Sequence, residues 1–136
     1  MDTHPDREQN MTNAPPTNID LVRTLIHAVD NADHDTIAAC TAHNVHFRFG
    51  NAQPTSTQSE LLAAAGSFRG GIADLRHTIL DMWEVDGGTV IATMDVYYRR
   101  LDDCELNLPC CNIFRVHDGL VVDYLIYMDV NPVIAP

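Results

Sequence analysis

The first part of the chain has the hydrophobic spacing of amphipathic helices. Thr17 or Asn18 can cap a first helix, because their side chains accept hydrogen bonds from free backbone N–H groups. The apolar stripe of this helix consists of Leu21, Val22, Leu25, Ile26 and Val29. Asp33 caps a short second helix that ends near residues 42–44. Each helix presents one apolar face, so both must pack against another element.

A short strand and a third helix come next. Residues 45–49 alternate between apolar and polar, which places Phe47 and Phe49 on the same side of a strand. Thr57 and the glutamate three residues later form a capping box that begins a third helix. The two glycines at 70–71 stop it.

The rest of the chain is dominated by the alternation of β-strands. Four long alternating runs follow one another, at 75–85, 89–100, 104–116 and 120–129. Their connections are acidic or contain glycine, and Asp-Gly between such runs favours a hairpin because glycine accepts positive φ without steric cost. Helices followed by a meander predict an α+β fold, in which a cone-shaped, curved antiparallel sheet wraps over three N-terminal helices and can enclose a small molecule. The prolines at 132 and 136 predict an extended tail.

Alternation identifies the inward face on three of these runs. On the fourth run it is formed by Leu120, Val122, Tyr124, Ile126 and Met128. On the third run it is formed by Leu106, Leu108, Cys110, Phe114 and Val116, with Asn112 among them. On the first run Leu75, His77, Ile79 and Trp83 share a side. An unpaired buried polar group costs about 1–3 kcal/mol, so Asn112 and His77 are each either a bonded core residue or a group that faces a ligand.

The second run is ambiguous from alternation alone. Its even residues, Val90, Ala92, Met94 and Val96, have the character of a buried face, which would turn Ile91, Thr93, Asp95 and Tyr97 outward. If the odd residues line the cavity instead, Asp95 is a carboxylate in an apolar cleft, where desolvation raises its pKa. Such a group could orient and polarise a neighbouring His77. Both registers remain open at this point.

Size and charge exclude several classes of partner. The chain has 136 residues, enough for one domain at 17–136, preceded by a polar arm at 1–16 that we expect to be disordered. Its net charge is −11 with eight dispersed Lys and Arg residues, so no basic patch exists for nucleic acid or an anionic membrane. No apolar run reaches the length of a spanning helix, and residues 1–16 lack the apolar core of a secretory signal. We therefore expect a soluble cytoplasmic protein.

Metal and redox sites are not indicated by the sequence. The four cysteines show no C-x-x-C spacing, and Cys110 and Cys111 point to opposite faces of a strand, so we expect reduced thiols. His43 and His46 offer two imidazoles without a third ligand at a recognisable spacing. We find neither a phosphate loop, a dinucleotide fingerprint nor a nucleophile elbow. The expectation is a protein without a metal or a cofactor.

Several segments carry a resemblance to a known family. They are the strand, loop and helix start at 47–54, the strand at 75–77, and the C-terminal stretches 114–124 and 127–132. With the order of helices and strands, residues 18–133 resemble the SnoaL-like branch of the nuclear transport factor 2-like superfamily, whose fold is cystatin-like. That superfamily includes isomerases, epoxide hydrolases, dehydratases, cyclases and non-catalytic transport or scaffold domains.

The resemblance implies a set of pocket residues. It directs the odd face of the second run, with Thr93, Asp95 and Tyr97, into the cone. It also implies that the cone is lined by Ile26, Phe47, Phe49, Phe68, His77, Asn112, Phe114, Tyr124, Ile126 and Met128. Members usually work without a metal.

The catalytic patterns of the relatives match only in part. In the Asp–Arg–Asp arrangement of limonene epoxide hydrolases, one Asp matches Asp95, but the other positions fall on Thr93 and Ile126. The constellation of ketosteroid isomerases is absent, since its proton-donating Asp falls on Asn112 and its base on Arg48. Scytalone dehydratase and bile-acid dehydratases are the nearest in kind.

The dehydratase resemblance suggests a catalytic group. His77, Asp95 and Asn112 occupy places similar to theirs, and only Asp30 offers a counterpart to the acidic partner on their first helix.

Two functions follow from this reading. The first is a cofactor-independent acid–base enzyme, a lyase or isomerase of the dehydratase or isomerase type, acting on a small apolar oxygenated ring compound. His77, Asp95 and Asn112 would be catalytic, with Tyr97 or Tyr124 holding a carbonyl. The alternative is a non-catalytic ligand-binding or dimeric interaction domain. Under either reading we expect a homodimer through the outer sheet face.

Overall fold

Three helices with side-chain caps open the fold. The computed structural model describes residues 17–134, so the predictions for 1–16 and for Pro136 lie outside it. The helices are α1 (Asn18–Asp30), α2 (His34–Cys40) and α3 (Gln58–Gly70). Thr17, Asp33 and Thr57 accept hydrogen bonds from backbone N–H groups in the first turns of these helices, so the predicted caps are confirmed.

Five strands form one curved, unclosed sheet. They are β1 (Thr41–Phe49), β2 (Ile72–Val85), β3 (Thr89–Arg100), β4 (Glu105–His117) and β5 (Leu120–Tyr127). Their order is β1-β5-β4-β3-β2, in which β2 to β5 form the predicted antiparallel meander. β1 is parallel to β5, so the sheet is mixed rather than purely antiparallel. The α+β fold with a curved sheet over three helices is confirmed.

The end of the described chain differs from the prediction. Instead of an extended tail, residues Asn131–Ile134 form a short helix, α4. The Asp129 carboxylate accepts a hydrogen bond from the N–H of Asn131, and the N–H groups of Val133 and Ile134 donate to the carbonyl of Val130. Pro132 fits because its missing N–H would be free in the first helical turn anyway.

The second predicted run, β3, faces opposite to the expectation based on the resemblance. Its even residues are buried at 0–2% exposure: Val90, Ala92, Met94, Val96 and Tyr98. Asp95 is exposed, and Thr93 and Tyr97 are half-buried on the outer face. The physical reason is that β3 is an interior strand whose concave face lies under the helices, and five consecutive even positions supply apolar area to bury there.

Two β-bulges reverse the facing of strand ends. The pairing of β2 with β3 shifts between Ile79 and Asp81, so Met82 turns inward and Trp83 is 49% exposed. The pairing of β4 with β5 shifts near Arg115, so Val121 is buried while Leu120 is 37% exposed. Trp83 and Leu120 were therefore wrongly predicted to face inward, because one extra residue in a strand exchanges its two faces.

Candidate functional site

A small apolar cavity lies between the three helices and the concave face of the sheet. Its volume is about 60 Å³. All five strands and the three N-terminal helices contribute to its wall, which is formed by Val29, Ala32, His34, Ile37, Phe47, Phe49, Leu61, Ala64, Ala65, Phe68, Arg69, Leu75, His77, Tyr98, Cys110, Tyr124, Ile126 and Met128. Few of these side chains are polar, so each polar group has a large share in determining what the cavity can bind.

His77, which lines the cavity, forms a buried pair with Asp30. The Nδ1 atom of His77 lies 2.5 Å from one carboxylate oxygen of Asp30, and the backbone N–H of His77 donates to the other oxygen at 2.9 Å. The side chains are 9% and 16% exposed. An ionised carboxylate only accepts, so Nδ1 is the donor in this contact. In the neutral imidazole this tautomer leaves Nε2 with its lone pair. Within residues 17–134, Nε2 has no hydrogen-bond partner.

The pair forms because of where β2 lies in the sheet. β2 is an edge strand with a partner on one side only, so alternate backbone N–H groups point away from the ladder. Helix α1 packs against β2, and its last residue, Asp30, meets the free N–H of His77. Both carboxylate oxygens of Asp30 therefore bond to His77, and this fixes the imidazole ring in position.

Two tyrosines and a thiol add donors to the same wall. Burial raises the pKa of both Tyr98 and Tyr124 well above that of an ordinary phenol, with smaller contributions from Cys110 and Asp30. Both phenols therefore stay protonated and able to donate. The hydroxyl of Tyr98 donates to Sδ of Met128 at 3.3 Å, a weak acceptor that an oxygen atom of a ligand could replace. Burial also raises the pKa of Cys110 to about 12, so this thiol is no nucleophile at neutral pH.

A wider depression lies beside the cavity. It has a volume of about 700 Å³ and lies between the loop after β1 and the C-terminal residues 128–134. Five residues line both spaces and separate them: Phe47, Phe49, Ala64, Phe68 and Met128. Phe49 and Phe68 pack with ring centroids 5.0 Å apart. We refer to this set as the partition and to the wider space as the outer depression.

The structure distributes the predicted site residues over three places. His77, Phe47, Phe49, Phe68, Tyr124, Ile126 and Met128 line the cavity. Asn112, Phe114 and Ile26 are buried but do not line it. Asn112 accepts a hydrogen bond from the thiol of Cys110 at 3.1 Å, and its Nδ2 has no partner among the described residues.

Asp95, Thr93 and Tyr97 lie on the outer face, so their expected place in the pocket was wrong. Tyr97 donates instead to the carboxylate of Glu105 at 2.8 Å, and the guanidinium of Arg76 lies over its ring. Asp95 is consequently separated from His77 by the sheet, because the two side chains point to opposite faces.

Tyr98 in the wall was missed in the sequence, and Asp30 was named only through the resemblance, although both have a signal there. Asp30 continues the stripe Val22, Ile26, Asp30 at intervals of four residues, which predicts an acid on the buried face of α1. Tyr98 continues the even apolar face of β3 by one more position. Arg69 and His34 had no such signal, since their approach depends on how α2 and α3 dock.

Two negative findings apply to residues 17–134. No three His, Cys, Asp or Glu side chains are grouped so as to hold a metal ion. No helix in this part of the chain is long and apolar enough to cross a membrane.

Known proteins with similar structures share the fold at low sequence identity. A nuclear transport factor 2-like protein of unknown function from Burkholderia pseudomallei is 16% identical with a TM-score of 0.80, over 88% of this chain and 98% of that one. A candidate SnoaL-like polyketide cyclase from Jannaschia is 15% identical with a TM-score of 0.77, over 91% and 97%. An epoxide hydrolase from Mycobacterium tuberculosis, similar to limonene epoxide hydrolase, is 18% identical with a TM-score of 0.73, over 86% of each chain.

At the level of sequence, the curated proteins contain no match. The family described as SnoaL-like domain, in contrast, matches residues 22–124, which extend from the buried stripe of α1 to Tyr124 in the cavity wall. The similar structures agree with that assignment and with the mixed, curved sheet. The chain therefore belongs to the SnoaL-like domain family, and it shares its fold with nuclear transport factor 2-like proteins.

Proposed function

We propose that the protein is a cofactor-independent acid–base enzyme, of the dehydratase or isomerase type, acting on a small apolar oxygenated ring compound. The observation that carries this proposal is the buried pair of His77 and Asp30. The imidazole ring is fixed by a carboxylate on one side, while Nε2, on the wall of an apolar cavity, has no hydrogen-bond partner among the described residues. An imidazole in this arrangement is suited to take up and return a proton.

The chemistry begins at a C–H bond next to a carbonyl group. Nε2 of His77 takes the proton, the electron pair moves into the carbonyl to form an enolate, and Asp30 stabilises the imidazolium through Nδ1–H. In a β,γ-unsaturated carbonyl compound the enolate is a dienolate, and the imidazolium returns the proton to the γ-carbon, which shifts the double bond and completes an isomerisation. Alternatively, it protonates a hydroxyl group in the β position, which leaves as water while the carbon–carbon double bond forms. Positioned acid–base catalysis of this kind contributes about 10²–10⁴-fold.

Tyr98 and Tyr124 are the proposed donors to the carbonyl oxygen. Both hydroxyl groups belong to the cavity wall, and their raised pKa values keep the protons in place. A donor is most effective where charge develops in a site from which water is excluded. In this proposal Asp30 takes the orienting role expected of Asp95, and Tyr98 takes the place of Tyr97. Asn112 supports the wall through Cys110 without reaching the substrate.

The substrate occupies more than the inner cavity. A volume of about 60 Å³ is far below the roughly 300–1,000 Å³ of ordinary ligand sites, whereas the outer depression has about 700 Å³. The partition between them contains Met128, an unbranched side chain that changes rotamer easily. A ring compound therefore displaces Met128 from Tyr98 and extends from His77 into the outer depression.

The first test is a thermal-shift screen with cyclic terpenoids, steroids, aromatic polyketides and fatty acids. A ligand at 100 times its Kd adds about 2.7 kcal/mol of stability. With a ligand class identified, turnover is assayed for His77→Ala, Asp30→Asn and the matched control Asp95→Asn. We expect the first two to lower kcat by about 10²–10⁴-fold and the control to match the wild type. Circular dichroism verifies that each variant is folded. Equal turnover in folded Asp30→Asn and wild type would refute the proposal.

A second candidate, an interaction domain, is favoured by the outer face of the sheet. Strand pairing places Trp83, Ile91, Ile113 and Leu125 side by side across β2, β3, β4 and β5. Trp83 is 49% exposed, and the other three are half-buried although no helix of the described chain covers this face. We call this set the outer apolar row. Such a row, flanked by charged side chains, has the composition of a homodimer interface.

The oligomeric state tests this second candidate directly. Ile113→Glu inserts a charge into the outer apolar row, and Asn107→Glu adds the same charge on the same strand near its exposed end. We expect light scattering after size exclusion to give a dimer for wild type and Asn107→Glu and a monomer for Ile113→Glu. A monomeric wild type would remove the interface. A monomeric Ile113→Glu that retains ligand binding would separate assembly from the cavity.

A further inference from the structure

We propose that the ligand of this cavity carries a carboxylate, bound by Arg69 and His34 at the helix side. This inference rests on the proposed function, because it names the class of ligand for the same cavity. The first observation concerns charge. In a chain of net charge −11, the residues that line the cavity include Arg69 and two imidazoles and, within 17–134, no acidic side chain. Asp30 bonds to one of these imidazoles, that of His77, but is not itself part of the lining. The outer depression, in contrast, has Asp129 as its charged side chain within the same range.

The guanidinium of Arg69 has N–H donors that find only distant acceptors, or none, among residues 17–134. The group offers five N–H donors, but Nη1 reaches the carbonyl of Ile72 only at 3.5 Å, and Nη2 is 3.8 Å from the nearer oxygen of Asp74. Nε is buried and has no partner in residues 17–134. A buried unsatisfied donor requires an explanation, and a bound anion is one.

Asp74 forms an ion pair with Arg69, but a loose one, at 3.8 Å. Its Oδ1 accepts a hydrogen bond from the N–H of Leu75 at 2.8 Å, and its Oδ2 is shared with Arg76 at 3.9 Å. At these separations neither arginine forms the bidentate pair that a carboxylate prefers. Arg69 is therefore available to a carboxylate from outside the protein.

His34 provides the second contact and the access route. Ala32 and His34 are exposed and also line the cavity, so the cavity opens between α2 and the last turn of α3. The ring of His34 packs against Gly66, with Cε1 3.4 Å from the position that a Cβ would occupy. Gly66 lies one helical turn before Arg69, which brings the imidazole of His34 and the guanidinium of Arg69 to this opening. The absence of a side chain at Gly66 leaves the space for the ring.

The positions along β2 indicate the shape of the ligand. Asp74, which lies beside Arg69, comes three residues before His77 on β2. Three residues of extended strand span about 10 Å. A ligand that contacts both groups carries its carboxylate at one end and its reacting carbon at the other, with apolar carbon between them. The substrate class is therefore an apolar ring compound bearing a carboxylic acid remote from the site of proton transfer.

The test compares acids with their neutral amides. Phenylacetate with 2-phenylacetamide, and cyclohexanecarboxylate with its carboxamide, are titrated by calorimetry at pH 7.5. Charged hydrogen bonds predict that wild type binds each acid about 10- to 100-fold more tightly than its amide. Arg69→Gln should abolish this preference, because it weakens the binding of the acids far more than that of the amides. Arg76→Gln, which removes the other arginine beside Asp74, should retain the preference.

The outcomes separate this inference from the proposed function. Equal binding of acid and amide by wild type, or a preference that survives Arg69→Gln, overturns the carboxylate site while the cavity stands. If Arg69→Gln weakens acids and amides equally and lowers Tm, Arg69 only stabilises the end of α3, and the inference fails. If neither probe class binds wild type, the carboxylate site is overturned, while the proposed function is decided separately by the thermal-shift screen and by turnover of the His77 and Asp30 variants. Loss of the acid preference alone supports the inference.

Discussion

The concave and outer faces of the sheet are built from the same strands but treat polar groups differently. On the concave face, His77, Tyr98 and Cys110 are enclosed, and burial raises the pKa of Tyr98 and of Cys110. On the outer face, Asp95 is exposed to water, and Tyr97 pairs with Glu105 at the surface. Burial, rather than the type of residue, therefore separates an acidic group that can act on a ligand from one that is only solvated.

Asp30 and Asp95 illustrate this difference most directly. Both are carboxylates close to β2 or β3, and each was a possible partner for His77. Asp30 is 16% exposed and has both oxygens on His77, whereas Asp95 is exposed and lies opposite Thr78 and Pro109 on the outer face. Only the first has the geometry of an orienting group.

The largest contrast is expected between thiols. Burial raises the pKa of Cys110 to about 12, so at pH 8 its thiolate fraction falls about 10³-fold below that of an ordinary thiol. The exposed Cys104, in the turn before β4, is the reference. We expect iodoacetamide to label Cys104 at least 10³-fold faster, as measured by mass spectrometry of peptides over time. Rates within a factor of ten would show that the concave face opens readily.

The second prediction compares aromatic residues on the two faces. Phe114 is 0% exposed and contacts Tyr124, with ring centroids 4.9 Å apart. Phe114→Ala should lower the free energy of unfolding by about 3–5 kcal/mol, because it removes buried area and leaves a cavity. Tyr127→Ala on the outer face, where the side chain is 56% exposed, should stay within about 1 kcal/mol. Urea denaturation measures both, and similar losses would contradict the assignment of the faces.

The third prediction concerns alkaline pH. The folded-state pKa values of Tyr98 and Tyr124 are raised, so the unfolded chain loses these protons first, near pH 10. Their contribution to stability is complete below pH 10 and declines as pH rises toward the folded-state values, by about 1.4 kcal/mol per pH unit for each group.

Urea unfolding between pH 9 and 11.5 measures this decline. Tyr124→Phe should reduce the slope by the share of one group, and Tyr127→Phe on the outer face is the control. An unchanged slope in Tyr124→Phe would mean that this phenol is hydrated in the folded state.

The smallest expected effect is at Asn112. This residue is fully buried, and its Nδ2 has no partner in the described chain. Asn112→Leu keeps the approximate volume and removes the unsatisfied donor, so it should raise the free energy of unfolding by about 1 kcal/mol. Asn107→Leu on the outer face of the same strand is the control and should change it by less than about 0.5 kcal/mol. A clear loss of stability in Asn112→Leu would indicate that a buried water bonds to the amide.

Local rules predicted much of the fold but only part of the site. Thr17, Asp33 and Thr57 were identified as caps because capping depends on neighbours in sequence. The alternation of β3 by itself gives the observed facing. The resemblance to relatives led to the opposite facing, with Asp95 and Tyr97 inward in place of Val96 and Tyr98. The reversal at Trp83 could not be foreseen, because a bulge depends on the pairing of two strands.

The partnership of Asp30 and His77 depends on contacts between residues 47 positions apart in the chain. The acid was visible in the stripe of α1, but its partner is set by how that helix docks on the sheet. The same holds for Arg69 and His34, which come together only when α2 and α3 are packed.

Asp30 also has a consequence for solubility. An edge strand exposes free N–H groups that can pair with a strand of another molecule, and charged side chains at the edge hinder such pairing. Asp30, at the end of α1, accepts the hydrogen bond of the His77 N–H and so places a carboxylate at the edge of β2. Replacing Asp30 would remove the orienting acid and uncover a template for aggregation at once. Under the proposed function, the orientation of His77 and the protection of this edge from self-association therefore depend on one side chain.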